Sequence, residues 1–356
     1  MKELVKNKAE LFKGQIFDLG IDFHKKNIKV TIRNNSRVLK KFCMEPDAGK
    51  LNNYLRNNYP GGSYKSVYEA GFSGFWFHRE LKKYGVSNIV INPADVPTTQ
   101  KEKTRKTDKI DSSKLARELE NNSLESIYIP TEQQEALRNI SRIRTQIVKE
   151  NTRTKNRIKS FLNLYNIKLP ENSEEKHWSR RFIDRIKSIE FQDNNNKIVR
   201  DYLVKELEHQ RERKKEVLKL IRKLSSENQT IKYLMSVPGV GIVVAFTLYA
   251  ELYIIERFSS VDKLCSIIGL VPSISESDET KYNLGLTNRA NNNLRSLIIE
   301  TAWLAIREDP TLTISFNEYC KRMNKNKAII RIARKLVSRI RYVWLNKKEY
   351  VCGVIK

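Results

Sequence analysis

Cysteine is scarce in this chain. Its four residues, Cys43, Cys265, Cys320 and Cys352, lie far apart, with no CxxC pair among them. That spacing argues against a disulfide framework or a thiolate zinc site and leaves reduced, mostly buried thiols as the expectation. A GxxxxGK[ST] phosphate loop is also missing, so nothing points to ATP-driven work. No run of about eighteen apolar residues occurs, and the opening MKELVKNKAELFKG lacks the apolar core of a signal peptide. A cytoplasmic protein is therefore expected. Internal repeats and long low-complexity tracts are absent as well. Acid is the clearest deficit: 41 Asp and Glu stand against 67 Lys and Arg, a formal charge of +26. Such an excess repels itself in a compact fold, so its natural counterpart is a polyanion. Nucleic acid ranks ahead of an anionic membrane surface.

The 356 residues suit two or three domains better than one. From about residue 15 to 128 the chain reads as α/β. A β-rich run over Gln15–Asp22, a turn at His24–Asn27 and an alternating strand over Ile28–Ile32 suggest a hairpin. A strand over Tyr64–Glu69, a helix over Gly74–Tyr84 and a strand over Asn88–Asn92 should follow. Residues 129–228 differ in kind. Leu137, Ile140, Ile143, Ile147, Ile158, Phe161 and Leu162 keep a helical period from Glu132 to Tyr165, opposite a face rich in Arg and Lys. A second long helix is expected from about Lys197 to Leu224, after a polar stretch from Pro170 to Asn196. Together they predict a helical hairpin or coiled-coil arm. Residues 229–356 read as mainly helical, with a tight turn at Val237–Gly241 and a polar loop from Pro272 to Thr287. Between Lys321 and Lys348 lie eleven Lys or Arg and no acidic residue. Arg331, Arg334 and Lys335 within this run are expected to meet nucleic-acid phosphates.

Four carboxylates could hold metal. Asp22 and Glu69 end expected strands, and Asp108 and Asp111, three residues apart, share one face at the start of an expected helix. Phosphodiester chemistry commonly uses divalent cations held by clustered carboxylates, and Mg²⁺ prefers hard oxygen ligands. Asp18, four residues before Asp22, is a weaker candidate. His24 and His78 read as structural histidines.

Gly20-Ile21-Asp22, Tyr68-Glu69-Ala70-Gly71, Asn92-Pro93 and the run from Lys106 to Ala116 resemble the N-terminal domain of the DEDD transposases, the insertion-sequence one-hundred-and-ten family of bridge-RNA-guided serine recombinases. The resemblance implies a RuvC-like, RNase H-like fold in which Asp22, Glu69, Asp108 and Asp111 bind Mg²⁺. Ser236-Val237-Pro238-Gly239-Val240-Gly241, Glu251, Arg257-Phe258, Gly269-Leu270-Val271-Pro272 and Leu284 to Arg295 are similar to the same family's C-terminal transposase domain. The family pattern places a nucleophilic serine five residues after Pro272, at Ser277. Here Asp278 stands where glycine is usual and Lys281 is the nearest basic residue, so Ser275 and Ser273 stay open as alternatives. A serine hydroxyl needs activation to attack, and the resemblance implies that metal supplies it, in an oligomer of two or four copies.

The Pro238–Gly241 turn resembles a helix-hairpin-helix, in which the amides of Gly239 and Gly241 would approach a phosphate. Arg289 and Arg295 are further expected phosphate contacts. The resemblance implies a transposase that cuts and rejoins donor and target DNA through a 5′-phosphoserine, directed by a structured guide RNA. Two rivals follow from the same residues: a hydrolytic RuvC-like junction nuclease and a non-enzymatic nucleic-acid-binding protein.

Overall fold

The computed structural model describes residues 10–97, 108–169, 178–277 and 280–352, with backbone alone for 108–110, 274–277 and 280–284. The chain separates into two compact units, one up to Thr131 and one from Glu132 on.

The first unit is built on a five-stranded mixed sheet of order β3-β2-β1-β4-β5. Its strands are β1 (Ile16–Phe23), β2 (Ile28–Asn34), β3 (Arg37–Met44), β4 (Ser63–Glu69) and β5 (Ser87–Ile91). β1 pairs antiparallel with β2 and parallel with β4. Alternation along β1 divides its side chains between the two faces. Phe17, Leu19 and Ile21 enter one core with Leu51 and Leu55 of α1 (Ala48–Asn58) and Phe77 and Leu81 of α2 (Trp76–Lys83). Asp18, Gly20 and Asp22 face the other way, towards α3 (Asp108–Glu120). Gly20 is the seat of that helix. A Cβ there would lie 2.0 Å from the carbonyl oxygen of Ser112 and 2.4 Å from the amide nitrogen of Ala116. Beside this contact the hydroxyls of Thr31 on β2 and Ser112 meet at 2.9 Å. Leu115 and Leu119 complete the layer against Val67 and Ile91. The outer strand β3 is largely exposed and carries Lys40 and Lys41, charges that discourage edge-to-edge pairing.

The second unit begins with two long helices, α4 (Glu132–Leu164) and α6 (Asn194–Ser226). They run antiparallel: Ile158 and Leu162 near the end of α4 share a cluster with Val204 and Leu207 near the start of α6. The stretch between them, expected as polar and without a helix, contains a short one, α5 (Arg180–Lys187). Its Phe182, Ile183 and Ile186 close the tip of the pair, and the Ser179 side chain caps it by accepting from the Phe182 amide. The base of the pair joins one large core made by α7 (Gln229–Met235), α8 (Ile242–Leu252), α9 (Val261–Ile268), α10 (Asn292–Glu308), α11 (Pro310–Cys320) and α12 (Lys325–Asn346). On α12 an apolar stripe of Ile329, Ile332, Leu336, Ile340 and Val343 enters that core at helical spacing.

The expected polar loop from Pro272 to Thr287 is instead a β-hairpin, β6 (Pro272–Ser277) with β7 (Thr280–Leu286). Alternation of Tyr282, Leu284 and Leu286 is the signal that polar composition masked. The register shifts near the root, where Gly285 takes φ +87°, a left-handed conformation that suits glycine at a bulge. The expectation of mostly buried thiols also needs correcting. Cys265 is buried, its thiol pushed up to about 11 by that burial, but Cys43 and Cys352 are exposed and Cys320 is half-buried. Among the described residues, no helix is long and apolar enough to cross a membrane. The mixed sheet followed by a mostly helical region is consistent with a RuvC-like domain at the start of the chain.

Candidate functional site

The sheet brings two of the four carboxylates side by side. β1 and β4 run parallel in a register that ends with Ile21 opposite Tyr68. The next step along both strands is Asp22 beside Glu69, on adjoining strands about 4.8 Å apart. Both lie on the face that carries Gly20 and Val67, the face covered by α3. Asp111 belongs to the first turns of that helix and immediately precedes Ser112, whose carbonyl rests on Gly20. The Asp108 side chain lies outside the described residues. Among those described, no group of three His, Cys, Asp or Glu is close enough to hold a metal ion.

His24, expected from the sequence as a structural histidine, stands beside the candidate ligand Asp22. Its Nε2 stands 3.0 Å from Oδ2 of Asp22, both side chains being partly exposed. The spacing of two residues, which returns a strand to the same face, could have revealed the pair. Asp18 shares the face but lies about 13 Å along the strand from Asp22, beyond the seat at Gly20. It is buried opposite Arg33 and Lys65. Burial raises its carboxyl above the ordinary value, with Lys65 opposing. Arg33 is already held by Glu120 at 2.7 Å. His78 is structural: buried, it shares a hydrogen bond with Asn88, whose amide donates to Ser66.

In the second unit Ser277 occupies the last paired position of the hairpin, its backbone opposite Thr280. The side chains of Ser275 and Ser277 lie outside the described residues. Ser273 is half-buried near the root. That root is anchored. Gly269 ends α9 in a left-handed conformation, φ +87°, and a Cβ there would lie 2.1 Å from the Cβ of Ala290. Arg295 donates to the carbonyls of Thr287 at 2.7 Å and Gly269 at 3.4 Å. Arg334 donates to the Leu270 carbonyl at 3.1 Å and pairs with Asp262 at 2.6 Å. Behind the root, buried Glu251 receives both arms of Arg142 at 3.0 and 3.2 Å and the Asn291 amide at 3.2 Å. One carboxylate thus ties α4, α8 and the cap of α10 together.

Two family models match the chain, both described as transposases. The DEDD transposase model of the IS110 family spans residues 19–167, and that of the IS116/IS110/IS902 transposase family spans 231–315. The chain belongs to the IS110 family of transposases. It is a DNA transposase, and the DEDD domain of this family points to a divalent metal cofactor. Its relatives are distant. A Sinorhizobium fredii protein named as a transposase is 26% identical over 302 residues, covering 76% of this chain and 74% of its own. The Coxiella burnetii transposase for insertion sequence element IS1111A is 24% identical over 287 residues, covering 80% and 78%. The Leptospira borgpetersenii transposase for element IS1533 is 28% identical over 188 residues, covering 51% and 52%.

Several features of this transposase expected to meet phosphate are engaged within the chain. Gly239 has φ +76°, and a Cβ on it would lie 2.7 Å from the Thr301 carbonyl of α10. Its amide already donates to Glu308 Oε2 at 2.7 Å. Gly241 caps α8 with no side-chain bond, and no atom lies within 4 Å of where its Cβ would be. On α12, Arg339 is paired with buried Asp309, and Arg341 donates to the Phe258 carbonyl at 2.9 Å. Arg331, Lys335 and Arg289 are exposed, and Lys335 donates to Ser315 Oγ at 2.9 Å.

Proposed function

We propose that this transposase cuts and rejoins DNA through a transient 5′-phosphoserine at Ser277, with Mg²⁺ held by Asp22, Glu69, Asp108 and Asp111. The observation that carries the metal half is the β1–β4 register, which sets two carboxylates abreast on the face that receives α3. Carboxylate oxygens are the hard donors that Mg²⁺ takes, so the donor set fits. A bound divalent ion would activate the nucleophile and ease departure of the leaving oxygen. The serine half draws on the hairpin, whose root two arginines hold by its carbonyls. A strand end on a fixed root limits the positions open to the hydroxyl before attack.

The chemistry balances without an external reactant. Serine Oγ forms a bond to phosphorus as the bond to the 3′-oxygen breaks. The hydroxyl proton departs, and the 3′-oxygen gains one to become a free 3′-hydroxyl. Rejoining reverses the roles: a 3′-hydroxyl attacks the phosphoserine, and Oγ leaves and is reprotonated. We further propose that a structured guide RNA selects donor and target, its backbone met by the basic faces of α4 and α12. The protein would work as a dimer or tetramer. Exposed apolar side chains on α6, Ile198 with Tyr202 and Leu220 with Leu224, favour self-association along the arm.

The deciding experiment incubates full-length protein with labelled donor and target DNA, Mg²⁺ and RNA transcribed from the flanking region, then resolves a denaturing gel. A protease-sensitive DNA adduct that disappears in Ser277→Ala is the expected result. Cleavage without an adduct would instead establish hydrolysis, and tight binding without either product would establish a binding protein.

A further inference from the structure

Where the hairpin root meets α12, the surface holds a groove of about 930 Å³, within the range of ligand sites. Its floor is apolar, formed by Leu270, Leu286, Met323 and Ile330. Its rim is basic and follows one face of α12, where Lys327, Arg331 and Lys335 recur every four residues. All three are exposed, and Lys335 also donates to the neutral Ser315 hydroxyl at 2.9 Å, a bond that leaves its charge uncompensated. Tyr319 of α11 stands between floor and rim, with the Arg331 guanidinium 5.4 Å and the Lys335 ammonium 5.5 Å from its ring centroid. Arg334 is committed to the Leu270 carbonyl and to Asp262, so it builds the wall rather than reaching inward.

An apolar floor beneath a cationic rim selects an occupant with a flat apolar body and an anionic end. Paired duplex DNA keeps its bases stacked inside and offers phosphate alone, which would use the rim and leave the floor idle. A nucleotide swung out of its strand satisfies both surfaces, since bases stack on aromatic side chains and on guanidinium planes. We infer that this groove receives one unstacked nucleotide of a DNA strand. Its base would lie against Tyr319, Met323 and Ile330, and its phosphate on Lys327, Arg331 and Lys335. DNA is the strand because the family acts on DNA. The inference draws on that substrate and not on the serine step.

The test uses the full chain without Mg²⁺ and measures fluorescence anisotropy. The probes are a labelled single-stranded DNA, the same strand with abasic sugars at its centre, and the matching RNA. Wild-type protein should prefer the base-bearing DNA over the abasic strand by about tenfold. Tyr319→Leu should erase that preference while holding its affinity for the abasic strand, and Tyr319→Phe should keep it. Arg331→Gln should weaken both strands alike. If Tyr319→Leu folds poorly, Met323→Gln at the half-buried floor gives the same readout. Equal wild-type affinity for both DNA strands, or equal loss on both in Tyr319→Leu, would make the groove a phosphate surface and overturn the inference. A base preference confined to RNA would overturn it in favour of the guide strand. Because no cleavage is involved, the preference would survive even if no Ser277 adduct forms.

Discussion

In the first unit the charged residues of interest stand at strand ends and at a helix start, where core packing sets their spacing. In the second, several arginines, among them Arg295 and Arg334 expected from the sequence as phosphate contacts, are engaged within the chain. Arg295, Arg334, Arg339 and Arg341 hold carbonyls or carboxylates of their own chain. A cation count therefore overstates the DNA-facing surface of the helical unit. A carboxylate at a strand end is more narrowly placed: Asp22 lies on the sheet face covered by α3 and meets His24 at 3.0 Å.

The contrast can be broken first at Asp22. Asp22→Asn removes one charge while keeping its shape, and strand cleavage should fall at least about a thousandfold, since metal stabilisation of the transition state is several kcal/mol. Thermal unfolding and DNA binding should stay close to wild type; a large drop in melting temperature would make Asp22 a fold residue. Gly20→Ala probes the same unit from beneath. Its methyl would meet the α3 backbone, so urea unfolding should show a loss of about 3 kcal/mol, with cleavage falling in step. Arg295→Ala sharpens the other half. Two carbonyls lose their donor at a cost of about 2 kcal/mol, and hydrogen exchange at the hairpin root should speed up. If binding to DNA fell instead while exchange stayed unchanged, Arg295 would be a phosphate contact after all.

The smallest effect concerns acidity. Burial lowers the imidazole pKa of His78 below its ordinary value. The unfolded chain then takes up a proton near pH 6.5 that the folded one resists, so stability present above that pH is lost on acidification. His78→Gln should flatten this part of the pH-stability curve, read by thermal melts between pH 7 and 5.

The strands of the first unit were legible because Phe17, Leu19 and Ile21 alternate with polar residues and glycine. The long pair α4 and α6 was legible by its period. Helix α5 was hidden because its eight residues sit in a polar tract and only three of them are buried. The hairpin was hidden by serines and acids that read as loop. Asp22 and Glu69 could be named from sequence, but their adjacency depends on a parallel register that no local pattern encodes. The engagement of Gly239 by Glu308 joins residues 69 positions apart and left no trace in either neighbourhood.

Gly20 acts as a gauge. At that residue a helix backbone rests directly on a strand backbone, with no rotamer between them to absorb error. The gap between α3 and the end of β1 is then as stiff as the peptide groups that define it. Phosphoryl transfer loses about a hundredfold for an ångström of misplacement. A single hydrogen in place of a side chain therefore sets the machining tolerance of the carboxylate end of this sheet.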